Sequence, residues 1–145
     1  VQANDLTISS NKADLDIEMT YAFLSQETAW AKGMPRETFD RAMEGSLCFG
    51  AYIEGKQIGF ARLITDQATF AYLCDVFVLP AYRGKGYASA LMRHVFASPS
   101  LTGLRRIVLV TTDAHHVYKP HGFKELVTPE RYMEVHNPDV YNKTA

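Results

Sequence analysis

Only two cysteines occur in the 145 residues, Cys48 and Cys74, and neither has a CxxC partner or a histidine at metal-ligand spacing. That excludes the common thiolate metal sites and fits two small buried hydrophobes in a reducing compartment, so a cytoplasmic location is expected. Long apolar runs are also missing: none approaches the ~20 residues that cross a bilayer. Charge of either sign is scarce in excess, with 15 Lys and Arg against 16 Asp and Glu. The resulting net charge of −1 creates no global field toward nucleic acid or an acidic membrane. The opening VQANDLTISS lacks an initiator Met and the basic and apolar regions of a secretory leader. No repeat, low-complexity tract or composition break divides the chain, so residues 1–145 are expected to form one domain.

What is present is ordered. Leu6 to Ser9 reads as a first strand. Asp14 is a good N-cap, and Leu15, Met19, Ala22 and Phe23 recur after it at helical spacing. A second helix is predicted to open at Pro35 and to turn Phe39, Ala42 and Met43 inward. LCFGAYI and IGFARLI, joined by Glu54-Gly55, predict an antiparallel strand pair, and TFAYLCDVFVL a third strong strand that Pro80 stops.

Ala88, Leu91, Met92, Val95 and Phe96 then mark one apolar helix face, ending before Pro99. RIVLVTT (106–112) has the continuous apolar character of a buried parallel strand. Residues 72–112 therefore predict a right-handed βαβ unit. A short helix over 114–119 and closing strands over 123–127 and 132–136 complete an α/β reading with a mixed sheet.

The turn inside the βαβ unit, YRGKGYA, sets Gly84 and Gly86 among Arg83 and Lys85 at a helix start. Unpaired amides and a partial positive charge at such a start suit a phosphate, and glycines bring the donors close to it. A glycine-containing loop with solvated charges is the plain alternative. The chain has no Walker A sequence, and Ser89 stands where the dinucleotide fingerprint wants a third glycine or alanine.

The fitting pattern is Arg/Gln-x-x-Gly-x-Gly/Ala, met by Arg83, Gly86 and Ala88. It resembles the pyrophosphate loop of the GNAT superfamily of N-acetyltransferases. Upstream, Val78, Pro80, Tyr82 and Arg83 are similar to that family's strand end; downstream, Ala114, Tyr118, Gly122 and Phe123 match its A-x-x-x-Y-x-x-x-G-F segment. The resemblance covers the second half of the chain, and the element order of the first half agrees with it. It implies the acyl-CoA N-acyltransferase fold: a mixed, mostly antiparallel sheet flanked by helices, with splayed central strands.

By that resemblance acetyl-CoA is the cosubstrate, with no metal. Amides of Arg83, Gly84, Lys85, Gly86, Tyr87 and Ala88 would hold its diphosphate, and Val76, Phe77 and Val78 would pair with the pantetheine arm. An N–H near Phe77 or Val78 would stabilise the oxyanion. Tyr118 would protonate the leaving thiolate. Asp113 stands where many relatives carry Asn and is taken as cofactor-facing. The attacking primary amine must lose a proton, for which Asp75 is the first candidate and Asp66 the reserve. Strict alternation puts Asp75 and Phe77 opposite Cys74, Val76 and Val78, although a bulge would reset that parity.

Trp30, Arg62, Asp66 and Tyr72 are candidates for the acceptor pocket, by analogy with family members. His115, His116 and His121 carry no acid or cysteine to complete a metal set. The expected acceptor is a small-molecule amine, with no nucleic-acid or membrane partner, in a monomer or homodimer. Two other readings stay open: a non-catalytic CoA-binding sensor, and an NADP-type domain with Arg105 or Arg106 on the extra phosphate.

Overall fold

The computed structural model describes residues 5–142. Five strands form one sheet in the order β1-β2-β3-β4-β5. They are β1 (Thr7–Ser9), β2 (Leu47–Ile53), β3 (Lys56–Thr65), β4 (Phe70–Val78) and β5 (Arg106–Val108). The first four run antiparallel to their neighbours, whereas β5 joins β4 in parallel. The Glu54-Gly55 turn puts both residues at positive φ, as a tight hairpin requires.

Helices α1 (Ile17–Glu27) and α2 (Arg36–Glu44) cover one face of the sheet, and α3 (Tyr87–Phe96) covers the other. On the first face Leu24, Phe39 and Met43 pack with Cys48, Phe60 and Phe77. On the second, Leu91, Met92 and Val95 meet Phe49, Ala61 and Leu63. The two sheet faces thus carry separate apolar clusters, and β3 and β4 supply both through their alternating residues.

Several sequence expectations need correction. The first helix is capped by Asp16, whose carboxylate accepts from the Met19 amide at 3.1 Å. Asp14 instead closes a short 3-10 turn and accepts from Ser9 at 2.7 Å. With the later start, Thr20 and Leu24 are the buried pair, while Met19, Ala22 and Phe23 are half-buried.

RIVLVTT pairs only over Arg106–Val108 and is not buried on both faces: Val110 is 83% exposed. Neither 123–127 nor 132–136 forms a strand, and exposed Val127, Met133 and Val135 lie there. Alternation makes a segment suited to a sheet, but a ladder also needs a neighbour, which these segments lack among the described residues. The predicted terminal helix is α4 (His115–Tyr118), continued by a 3-10 turn at Lys119–His121.

Candidate active site

The last paired positions of β4 and β5 are Tyr72 and Val108. Beyond them β4 continues to Val78 while residues 109–112 leave the sheet, so the two chains part. This divergence at the carboxyl ends of parallel strands is where α/β proteins commonly open a ligand crevice.

A second device sits beside it. After β4, a 3-10 turn at Pro80–Tyr82 leads into Gly84 and Gly86, at φ of 77° and 84°. Gly86 is the N-cap of α3, and no side chain caps that end. Its first-turn amides are therefore not consumed by a capping side chain. A Cβ at either glycine would meet nothing within 4 Å, so the demand for glycine comes from the left-handed backbone and the space above is open.

Lys85 lies over the Tyr82 ring at 6.0 Å. Arg83 is not a freely moving cation: its Nε–H donates to the Val78 carbonyl at 2.9 Å, tying the turn to the end of β4. Tyr87 is buried in the core, leaving only its main chain for the loop, and Ala88 is half-buried beside it.

On β4, Asp75 has φ of 54°, a conformation costly for a residue with a Cβ. It marks a bulge: Phe60 faces Phe77 and Arg62 faces Cys74, so Asp75 and Val76 together oppose Ala61. The bulge turns Asp75 toward the α1–α2 face, where Phe77 also lies, and leaves Val76 and Val78 with the α3 cluster. Cys74 departs from the expected alternation, since its cross-strand partner Arg62 lies on the Asp75 side.

Asp75 is buried and fully engaged. Its Oδ2 accepts from Arg62 Nε at 2.8 Å, and its Oδ1 accepts from the Trp30 indole N–H at 2.7 Å. Arg62 also donates to Ser46 Oγ at 2.9 Å. Burial opposes the Arg62 charge, but Cys74 and Asp75 outweigh it and hold the guanidinium above its ordinary value. Trp30 is 59% exposed, an aromatic plate anchored only at its polar edge and not a core residue. Tyr72 joins this group: burial, then Cys74 and Asp75, push its phenol up.

Asp66 does not. It closes the β3–β4 turn, accepting from Thr69 Oγ1 and from the amides of Ala68, Thr69 and Phe70. The Thr69 hydrogen bonds draw its carboxyl well below the usual range. Its role is to hold a hairpin, and the expected surface pair of Arg62 with Asp66 is instead the buried pair of Arg62 with Asp75.

Tyr118 ends α4 and is half-buried against the α3-side cluster, which also contains Val76 and Val78, with its ring edge-on to Phe123 at 5.9 Å. Burial alone pushes its phenol up, so the hydroxyl stays protonated as a donor. Asp113 is exposed in the bend before α4. Cys48 and Cys74 are pushed up to about 11 and about 12, chiefly by burial, which keeps both as thiols despite Arg62 nearby.

Among the described residues no group of three or more His, Cys, Asp or Glu could hold a metal, and no helix is long and apolar enough to cross a membrane. Sequence reasoning missed Ser46 and the positioning of Trp30 by Asp75. Both depend on contacts between distant segments and left no local signal.

Comparison with known proteins bears on the same segments. The profile of the Acetyltransferase (GNAT) family matches residues 15–123. An inferred acetyltransferase of Gibberella zeae is 32% identical over 144 residues, spanning 83% of this chain and 80% of that protein. An inferred GNAT-family acetyltransferase from Xanthomonas campestris pv. campestris superposes with a TM-score of 0.92 at 48% identity, covering 94% of this chain and 96% of its own. A GNAT-family acetyltransferase from Elizabethkingia anophelis, solved with acetyl-CoA bound, has a TM-score of 0.66 at 16% identity, covering 90% and 87%. At that identity the likeness is one of fold.

Proposed function

The chain belongs to the GNAT family of acetyltransferases, and from that premise we propose that it moves the acetyl group of acetyl-CoA to a primary amine of a small molecule, in the cytoplasm. The observation that carries this reading is the parting of β4 and β5 beyond Tyr72 and Val108, beside an α3 N-terminus without a side-chain cap. The diphosphate rests on the amides of residues 83–88, with Lys85 adding charge. The pantetheine arm lies along Val76, Phe77 and Val78, and Asp113 faces it from the bend before α4.

The amine attacks the thioester carbonyl directly, forming a tetrahedral intermediate. A β4 amide near Phe77 or Val78 supports its oxyanion. Collapse breaks the carbon–sulfur bond, and the Tyr118 hydroxyl, kept protonated by burial, gives its proton to the leaving thiolate. Asp75 receives the ammonium proton before attack, through lone pairs not committed to Trp30 and Arg62. Trp30 and Tyr72 form the acceptor walls. No acyl-enzyme is needed, because both thiols are held in their weakly nucleophilic form.

A panel of small amines assayed for free-CoA release tests the reading. Acceleration by at least one amine, with a loss in Tyr118→Phe, supports it. Tight acetyl-CoA binding with no amine-dependent release would favour a sensor instead. Acetyl-CoA at a hundred times its Kd should stabilise the protein by about 2.7 kcal/mol, and NADPH should not.

A further inference from the structure

A cavity of about 470 Å³ lies along the edge of β5 away from β4, lined by residues 107–111 on one side and by Tyr118, Phe123, Leu126 and Pro129 on the other. Successive residues of a strand point to opposite faces, so consecutive lining residues identify an edge and not a face. No β4 residue contributes, and β5 is the terminal strand in the sheet order. The structure therefore holds a slot with apolar walls and an unpaired strand edge, a ready template for another β-segment.

The same chain carries a segment of matching character. Residues 133–136 make no main-chain hydrogen bond to any described residue, and Met133 and Val135 are 96% and 104% exposed. Val110 and Val127, flanking the slot, are 83% and 81% exposed. The segment is held at both ends on its own protomer. Tyr132 lies under the Arg106 guanidinium at 5.7 Å, and Tyr141 packs into the cluster of α1 and α2. Between those anchors it bows outward and does not enter its own slot.

Charge favours the match as well. His115, Lys119 and Lys124 border the slot against the single acid Glu125, while Glu130 and Glu134 belong to the bowed segment. A net charge of −1 offers little resistance to self-association.

We propose that a second copy of this chain fills the slot, each protomer laying residues 133–136 along the β5 edge of the other in an isologous dimer. Met133 and Val135 then cover the apolar walls, and the partner's segment backs the wall that contains Tyr118. The inference stands on the slot and the exposed segment, independently of the acetyl-transfer reading.

Sedimentation equilibrium of the full chain at micromolar concentration should give twice the chain mass. Met133→Glu and Val135→Glu together should weaken the dimer by roughly tenfold or more, without lowering the melting temperature at monomer concentrations. A monomeric parent protein, or a dimer indifferent to both substitutions, would overturn the proposal. Cross-linking resolves who fills the slot. Val110→Cys protein mixed with Val135→Cys protein should give a mixed dimer with a flexible bismaleimide, and the parent protein should not. A link formed only within one chain of the double variant would mean that the segment folds into its own slot, and the proposal would fall.

Discussion

The indole N–H of Trp30 donates to the Oδ1 of Asp75 at 2.7 Å, joining residues 45 positions apart. One partner is buried on a bulged strand and the other is 59% exposed between α1 and α2. The bond fixes an exposed aromatic ring relative to a strained carboxylate. Without the bulge, Asp75 would point to the α3 side and the contact could not form.

The other oxygen of Asp75 carries an ion pair with side chains 16% and 7% exposed. Removing one partner strands a buried charge, so Arg62→Met and Asp75→Asn should each destabilise by about 3 kcal/mol. Arg62→Met/Asp75→Leu should recover much of that. Urea denaturation of the three variants checks it, and simple additivity would refute the coupling.

Tyr118→Phe removes one hydroxyl from a half-buried ring and should leave stability and acetyl-CoA affinity nearly unchanged. Its kcat should fall about 100-fold. Because burial raises the phenol above its ordinary 10.0, the protonated form persists through neutral and mildly alkaline pH. The kcat profile should therefore show no descending limb from this group below that value. A limb near neutrality that Tyr118→Phe abolishes would contradict the acid role.

Gly86→Ala places a Cβ at φ of 84°, with open space around it. The cost is conformational, about 1 kcal/mol or slightly more by thermal denaturation. Acetyl-CoA affinity should fall by more than this alone explains, since the first-turn amides shift. Calorimetric titration against Gly103→Ala, at a similar φ of 80° far from the loop, isolates the local effect.

Both thiols should resist modification at pH 8 in the folded protein and react on unfolding. Folded values near 11 and 12 exceed the ordinary 9.0. The native state thus binds these protons more tightly than the unfolded chain. Their contribution to stability is complete below pH 9 and is lost as pH rises toward 11 and 12. Denaturation midpoints at pH 8 and pH 10, compared with a Cys48→Ala/Cys74→Ala variant, should show the parent losing more across that interval.

How much was legible beforehand follows from the range of each interaction. The β2–β3 hairpin, α2 and α3 were readable because apolar spacing, Pro35 and the Glu54-Gly55 turn act within a few residues. The glycine turn was readable because positive φ restricts residue choice locally. The cap of α1 was misplaced because Asp14 and Asp16 offer the same chemistry, and only the packing of Leu15 and the Gln57 bond to the Asp16 amide distinguishes them. The strands expected over 123–127 and 132–136 had the right pattern without a partner.

The sequence by itself determined the order of elements, the glycine-rich start of α3 and the residue types able to bind a diphosphate, since each rests on short-range backbone preference. Tertiary structure decided which acid meets Arg62 and Trp30, where β4 and β5 separate, and which segments go unpaired. Those outcomes depend on register and on groups brought together from distant positions, and a one-residue bulge at Asp75 changes the face on which that side chain lies.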